Sequence, residues 1–152
     1  MEDEDWYLSI DAPDFDGGIY TAVRAFCTDA AAAKARYGPI ASWDTSRVTC
    51  TCFLFCTRGA FNEDISRWDV SNVKNMNGMF LRAISFDQDL SCWDIRNVQM
   101  MIDMFGYASS FNRQLDGAWT TAIASKGRMF RRSPGTIAGR RKGADGTVYE
   151  AM

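Results

Sequence analysis

Cys50, Cys52 and Cys56 stand close enough in the sequence to suggest a thiolate metal site. Their C-x-C-x3-C spacing is not that of a zinc knuckle, however, and no second cluster follows. With Cys27 and Cys92 the cysteines number five and cannot all pair within one chain, so reduced, partly buried thiols are the expectation. Asp44, Asp69 and Asp94 form a second candidate, because carboxylates aligned about 4.8 Å apart can repel one another or share a cation such as calcium. No glycine-punctuated calcium loop accompanies them, and hydrogen bonding to neighbouring turn amides is the favoured role. Met76, Met79, Met100, Met101, Met104 and Met129 suggest a soft-metal site, but their helical spacing beside Phe80 and Phe105 assigns most of them to a core. The chain has no histidine, which removes imidazole bases and Ser-His-Asp or Cys-His pairs. Carboxylates repeated at every unit single out no tuned acid or base, and no phosphate-cradling glycine loop is evident. The expectation is a non-enzymatic protein with no catalytic residue, metal or cofactor.

What must position these groups is a 25-residue repeat. Trp43, Trp68 and Trp93 follow it, as do Phe61, Phe86 and Phe111, and Phe55, Phe80, Phe105 and Phe130. Val48, Val73, Val98 and Ile123 form a further column, and Ile40, Ile65, Leu90 and Leu115 another. Within a unit, Trp68 and Val70 alternate around Asp69 as in a short strand, whereas Val73, Met76 and Phe80 recur at three and four as on one face of a short helical or 3₁₀ turn. Each unit therefore reads as strand, turn and short helix. A lone unit would leave its apolar side chains in water, so the units must stack into an α/β solenoid.

At 152 residues, 47% hydrophobic and 24% charged, the chain has the make-up of one folded domain. No run approaches the roughly 20 apolar residues of a membrane span, and the acidic start lacks the features of a signal peptide. Residues 1–16 hold seven acids and no bases, and read as an acidic tail. Residues 17–38 read as a capping helix, with Asp16 as a candidate cap, apolar residues spaced from Ile19, and Gly38-Pro39 as the stop. Residues 39–130 are the repeats, with Trp119 one position late. Residues 131–152 read as a basic, disordered tail, which leaves the last rung uncapped and open to self-association.

The run Phe61-Asn62-Glu63-Asp64-Ile65-Ser66-Arg67-Trp68-Asp69-Val70-Ser71-Asn72-Val73-Lys74-Asn75-Met76-Asn77-Gly78-Met79-Phe80 resembles the repeat of BspA-like leucine-rich-repeat surface proteins, and the units around it repeat the likeness over about residues 19–130. The resemblance implies a leucine-rich-repeat-like solenoid of about four units, displayed on a cell surface or secreted and acting in adhesion or protein binding. Cysteine at 50 and 52 and the displaced Trp119 depart from the family's pattern.

With Trp68 and Val70 facing inward, the outward face comprises Ser42, Asp44, Ser46, Arg67, Asp69, Ser71, Cys92, Asp94 and Arg96. That ladder suits a protein partner first and a surface glycan second. One rival is a nucleic acid or anionic membrane surface held by Arg128, Arg131, Arg132, Arg140, Arg141 and Lys142, with nucleic acid the less favoured, and the other is a truncated array without independent activity.

Overall fold

A computed structural model describes residues 18–150. The acidic segment 1–16 and the Asp16 cap lie outside the described residues. The chain enters through two helices rather than the single one expected over 17–38: α1 (Ile19–Thr28) and α2 (Ala30–Tyr37). Asp29 divides them. Its backbone is extended and its side chain accepts from the Ala32 amide at 3.1 Å, so it starts a new helix instead of continuing the old one. Ile19, Ala22 and Val23 of α1 are buried, and Gly38 closes α2.

The units that follow stack in one register. Cys50, Asn75, Met100 and Ser125 pair in succession through parallel bridges. The Thr51, Phe53, Phe55 and Thr57 amides donate to the carbonyls of Asn75, Asn77, Met79 and Leu81, and rung two repeats the pattern onto rung three. Inside, Phe55, Phe80, Phe105 and Phe130 stack at 5.3–5.5 Å between centroids, and Phe61, Phe86 and Phe111 at 5.9–6.0 Å. The indole N–H groups of Trp68, Trp93 and Trp119 each donate to a main-chain carbonyl, of Ile40, Ile65 and Leu90 respectively. A buried indole is thereby satisfied at every rung.

The interior of a unit differs from the expected strand and short helix. Trp68 to Val70 is a link between two turns, closed by Trp68 N–H to Ile65 and Val73 N–H to Val70. The rung-to-rung pairing runs instead through residues 74–82, where turns follow one another. Residues 53, 78, 103 and 128, and again 57, 82, 107 and 132, have positive φ. Left-handed residues at the third position of successive turns let alternate amides reach the next rung while the others close locally. Consecutive turns place side chains at three and four on one side, as a helix would, which is why the spacing imitates one. Gly78 is the one glycine among these equivalent left-handed positions: at φ +60°, its missing Cβ would lie 2.3 Å from the Phe53 ring, whereas Phe53, Asp103 and Arg128 adopt the same conformation with side chains.

The last rung departs from the repeat and is covered. One extra residue is absorbed by a 3₁₀ turn, Gly117–Thr120, which begins at φ +63° on Gly117 and restores Trp119 to the core. The same shift turns Ile123 out to 89% exposure, with Ala122 and Ala124 facing in, so the Val48, Val73, Val98 column ends before Ile123. Residues 131–150 are ordered structure rather than a disordered tail. Strand β2 (Thr136–Ile137) pairs in parallel with β1 (Gln114–Leu115), and β3 (Arg141–Lys142) forms an antiparallel pair with β4 (Val148–Tyr149). The Phe130 and Val148 amides donate to Gly146 and Lys126, while Ile137 and Val148 join the core. The rung expected to be open for self-association therefore has a hairpin on it.

Candidate functional site

The nine face residues come together in three columns along one edge. Ser42, Asp44, Arg67, Asp69, Cys92 and Arg96 are exposed, Ser46, Ser71 and Asp94 half-buried, and Thr45, Val70 and Ile95 point inward between them. The edge is a stack of turns, each clamped by its aspartate. Asp44 accepts from the Ser46 amide at 3.0 Å and hydroxyl at 2.6 Å, Asp69 does the same with Ser71, and Asp94 takes the Arg96 amide and both ends of its guanidinium fork. Such two-residue reaches are what a short carboxylate does at a turn.

These bonds hold all three carboxyls below the usual carboxylate range; for Asp69 the Ser71 hydroxyl is the largest cause, opposed in part by the charges of Asp44 and Asp94. Asp64 and Asp89 clamp Ser66 and Ser91 in the same way on the preceding turn. Rungs are tied across this edge by Asn72 to the Ser46 carbonyl and Asn97 to the Ser71 carbonyl, both at 2.7 Å. The Cys92 thiol reaches the Ser66 carbonyl at 3.2 Å.

The C-terminal cations are mostly engaged within the fold. Arg128 pairs with Asp103, Arg140 donates to the Thr120 carbonyl and pairs with Glu150, and Lys142 donates to the Ser133 and Gly135 carbonyls. Arg141 lies over the Tyr149 ring. Arg131 and Arg82 lie over the Tyr107 ring, 5.4 and 5.0 Å from its centroid, and Arg132 is exposed. Lys126, buried at the position that Met76 and Met101 hold in the two preceding rungs, donates to the Ala122 and Ala124 carbonyls, and burial pulls its pKa down.

Two features escape the sequence reading. Cys50 and Cys52 are joined as a disulfide where reduced thiols were expected, while Cys27, Cys56 and Cys92 remain thiols. Tyr20 of α1 donates to the Cys52 carbonyl at 2.8 Å and to that of Cys50 at 3.3 Å. In rung two, the matching Asn75 and Asn77 carbonyls accept amides from rung one. Tyr20 thus replaces a missing rung. The C-x-C pair was visible, but nothing local marks Tyr20 as its neighbour.

A cleft of about 440 Å³ opens between the helices and rung one, lined by Phe26, Cys27, Ala30, Arg58, Phe61 and Glu63. Burial raises the Cys27 pKa against the opposing pull of Arg58, which makes it a poor nucleophile. Among the described residues, no three His, Cys, Asp or Glu side chains are grouped to hold a metal ion, and no helix is long and apolar enough to cross a membrane.

A family model described as "Mycoplasma protein of unknown function, DUF285" matches residues 23–137. The chain belongs to this family. The DUF285 match takes in α2, every rung and strand β2 of this chain. No curated protein and no solved structure matches the chain.

Proposed function

We propose that this DUF285 member is a non-enzymatic scaffold, a short leucine-rich-repeat-like solenoid of the BspA-like kind, that binds a protein partner through the edge bearing Asp44, Asp69 and Asp94. One observation carries the reading. Equivalent carboxylates stand at the same place on three successive rungs, each fixed by its own turn. A rigid, repeated polar pattern loses little entropy when a partner docks on it, which favours recognition. Surface display and adhesion are the roles that its likeness to BspA-like repeats favours. The test is a panel of purified extracellular proteins together with a glycan array, probed with the full chain and with Asp69→Arg/Asp94→Arg. A protein ligand lost from the double variant supports the reading. Ligands that ignore the double variant overturn it, and hits confined to glycans move the assignment to a carbohydrate.

A second reading keeps an anionic partner but moves its site. Arg82 and Arg131 both lie over Tyr107, with Arg132 beside them, and residues 81–85, 106–110 and 131–135 contain no acid. Binding to an anionic surface that weakens steeply with salt and is lost in Arg131→Gln/Arg132→Gln would favour this reading over the aspartate edge.

A further inference from the structure

The Cys50–Cys52 bond has an internal control, because the same piece of backbone is built four times and cross-linked once. Asn75 and Asn77, Met100 and Ile102, and Ser125 and Gly127 occupy the two cysteine positions in the later rungs, and bridges pair the first member of each couple in register. Phe53, Gly78, Asp103 and Arg128 all have positive φ at the residue that follows, so the turn forms equally well without sulfur. In rung two the Asn77 amide donates to the Asn75 side chain at 2.9 Å; in rung one the Cys52 amide lies 3.4 Å from the Cys50 sulfur. The disulfide therefore replaces a side-chain acceptor that an asparagine supplies elsewhere.

Nor does the bond hold distant parts together. It spans a sequence separation of two, and the restriction a cross-link places on the unfolded chain grows with the length of the loop it closes. A closure this small restrains almost nothing. Both cysteines are half-buried at the surface, whereas Cys56 in the same rung is buried. A bond that the fold does not need, within reach of solvent and with both partners held side by side, has the attributes of a reactive site rather than a staple.

We propose that Cys50 and Cys52 form a redox-active dithiol/disulfide site whose substrates are low-molecular-weight thiols and their disulfides. A thiolate from solution attacks one sulfur of the bond and forms a mixed disulfide. The other cysteine leaves as a thiolate and takes a proton from water. A second external thiol, ionised as a thiolate, then attacks the external sulfur of the mixed disulfide; the two external sulfurs join as the released disulfide, and the protein cysteine leaves as a thiolate that is protonated in turn. Two thiols are oxidised to one disulfide, and the protein gains two electrons and two protons. The reverse course starts from the dithiol, where the second cysteine stands ready to resolve the mixed species.

The test uses the full chain, equilibrated at neutral pH in graded mixtures of reduced and oxidised dithiothreitol. Free thiols are then alkylated and mapped by peptide mass, and circular dichroism is recorded on the same samples. The expected result is that Cys50 and Cys52 change together between alkylated and bonded over a window in which the dichroism is constant, with Cys27, Cys56 and Cys92 outside the change. Cysteines that stay alkylatable in the most oxidising mixture, or that are reduced only as the chain unfolds, overturn the proposal. Cys50→Asn/Cys52→Asn installs the residues that rung two carries, and its melting temperature should stay within about 3 °C of the oxidised parent. A drop of about 10 °C or more would make the bond a structural staple and overturn the proposal as well.

Discussion

Asp69 shows what a single side chain contributes to the edge. Its carboxylate accepts from both the amide and the hydroxyl of Ser71, and the group is largely exposed, so removing it costs little. Asp69→Ala should lower stability by about 0.5 kcal/mol in urea denaturation, and Asp69→Asn, which keeps an acceptor, by less. Because the folded carboxyl titrates below its unfolded value, the clamp's contribution is complete above about pH 4 and is lost as the pH falls through the lowered folded value. The difference in melting temperature between the parent and Asp69→Ala should therefore shrink toward zero in acid and hold constant between pH 5 and 8. Gly78 is the opposite case. A methyl group there meets the Phe53 ring at 2.3 Å in a left-handed conformation, and Gly78→Ala should cost about 3 kcal/mol by the same denaturation. The residue scale is also where the sequence was most informative. Trp68, Phe80 and Leu90 were placed in the core by spacing alone, and the outward set from Ser42 to Arg96 does share one edge, because an apolar side chain repeated every 25 residues has only one way to be buried.

Elements were harder to read, for physical reasons. The run of turns over 74–82 has the apolar spacing of a helix, and only the left-handed residues distinguish it; among those, Gly78 alone is a residue type that announces the conformation. Residues 131–150 have the composition of a tail, yet they supply what a terminal rung lacks. The Arg128 amide donates to Thr147 and the Phe130 amide to Gly146, where an inner rung would find the next unit. Those partners are far apart in sequence, and glycine and charge carry no sign of them. At the other end Tyr20 serves the free carbonyls of rung one. Tyr20→Phe should leave those two carbonyls unserved and cost about 1–3 kcal/mol, measured by chemical denaturation. Ending the chain after residue 138, which removes β3 and β4, should expose Phe130 and Lys126 and turn a monomer into concentration-dependent oligomers on size exclusion with light scattering.

At the scale of the whole molecule, the stack has two unlike sides and two unlike ends. One edge is made of aspartate-clamped turns, and the far ends of the four 74–82-type segments carry Thr57, Arg82, Tyr107 and Arg132 as left-handed residues. Both are repeated features, so any partner that reads them reads a pattern rather than a point. The ends are where helices and a hairpin replace a neighbouring rung, and they hold the side chains that no repeat predicts: Tyr20, Lys126 and Lys142.

The common register has a consequence for the chain's design as a polymer. The top of every inner rung fits the bottom of every other, so the protein behaves like a row of interchangeable coins between two fixed bookends. A second copy of residues 61–85 inserted after Ser85 should thread into the row without disturbing either bookend, adding another phenylalanine to each stack. If nearest-neighbour coupling governs the row, the lengthened chain should still melt in one transition, at a higher temperature than the parent by calorimetry. Length, on this view, is a variable the architecture leaves open.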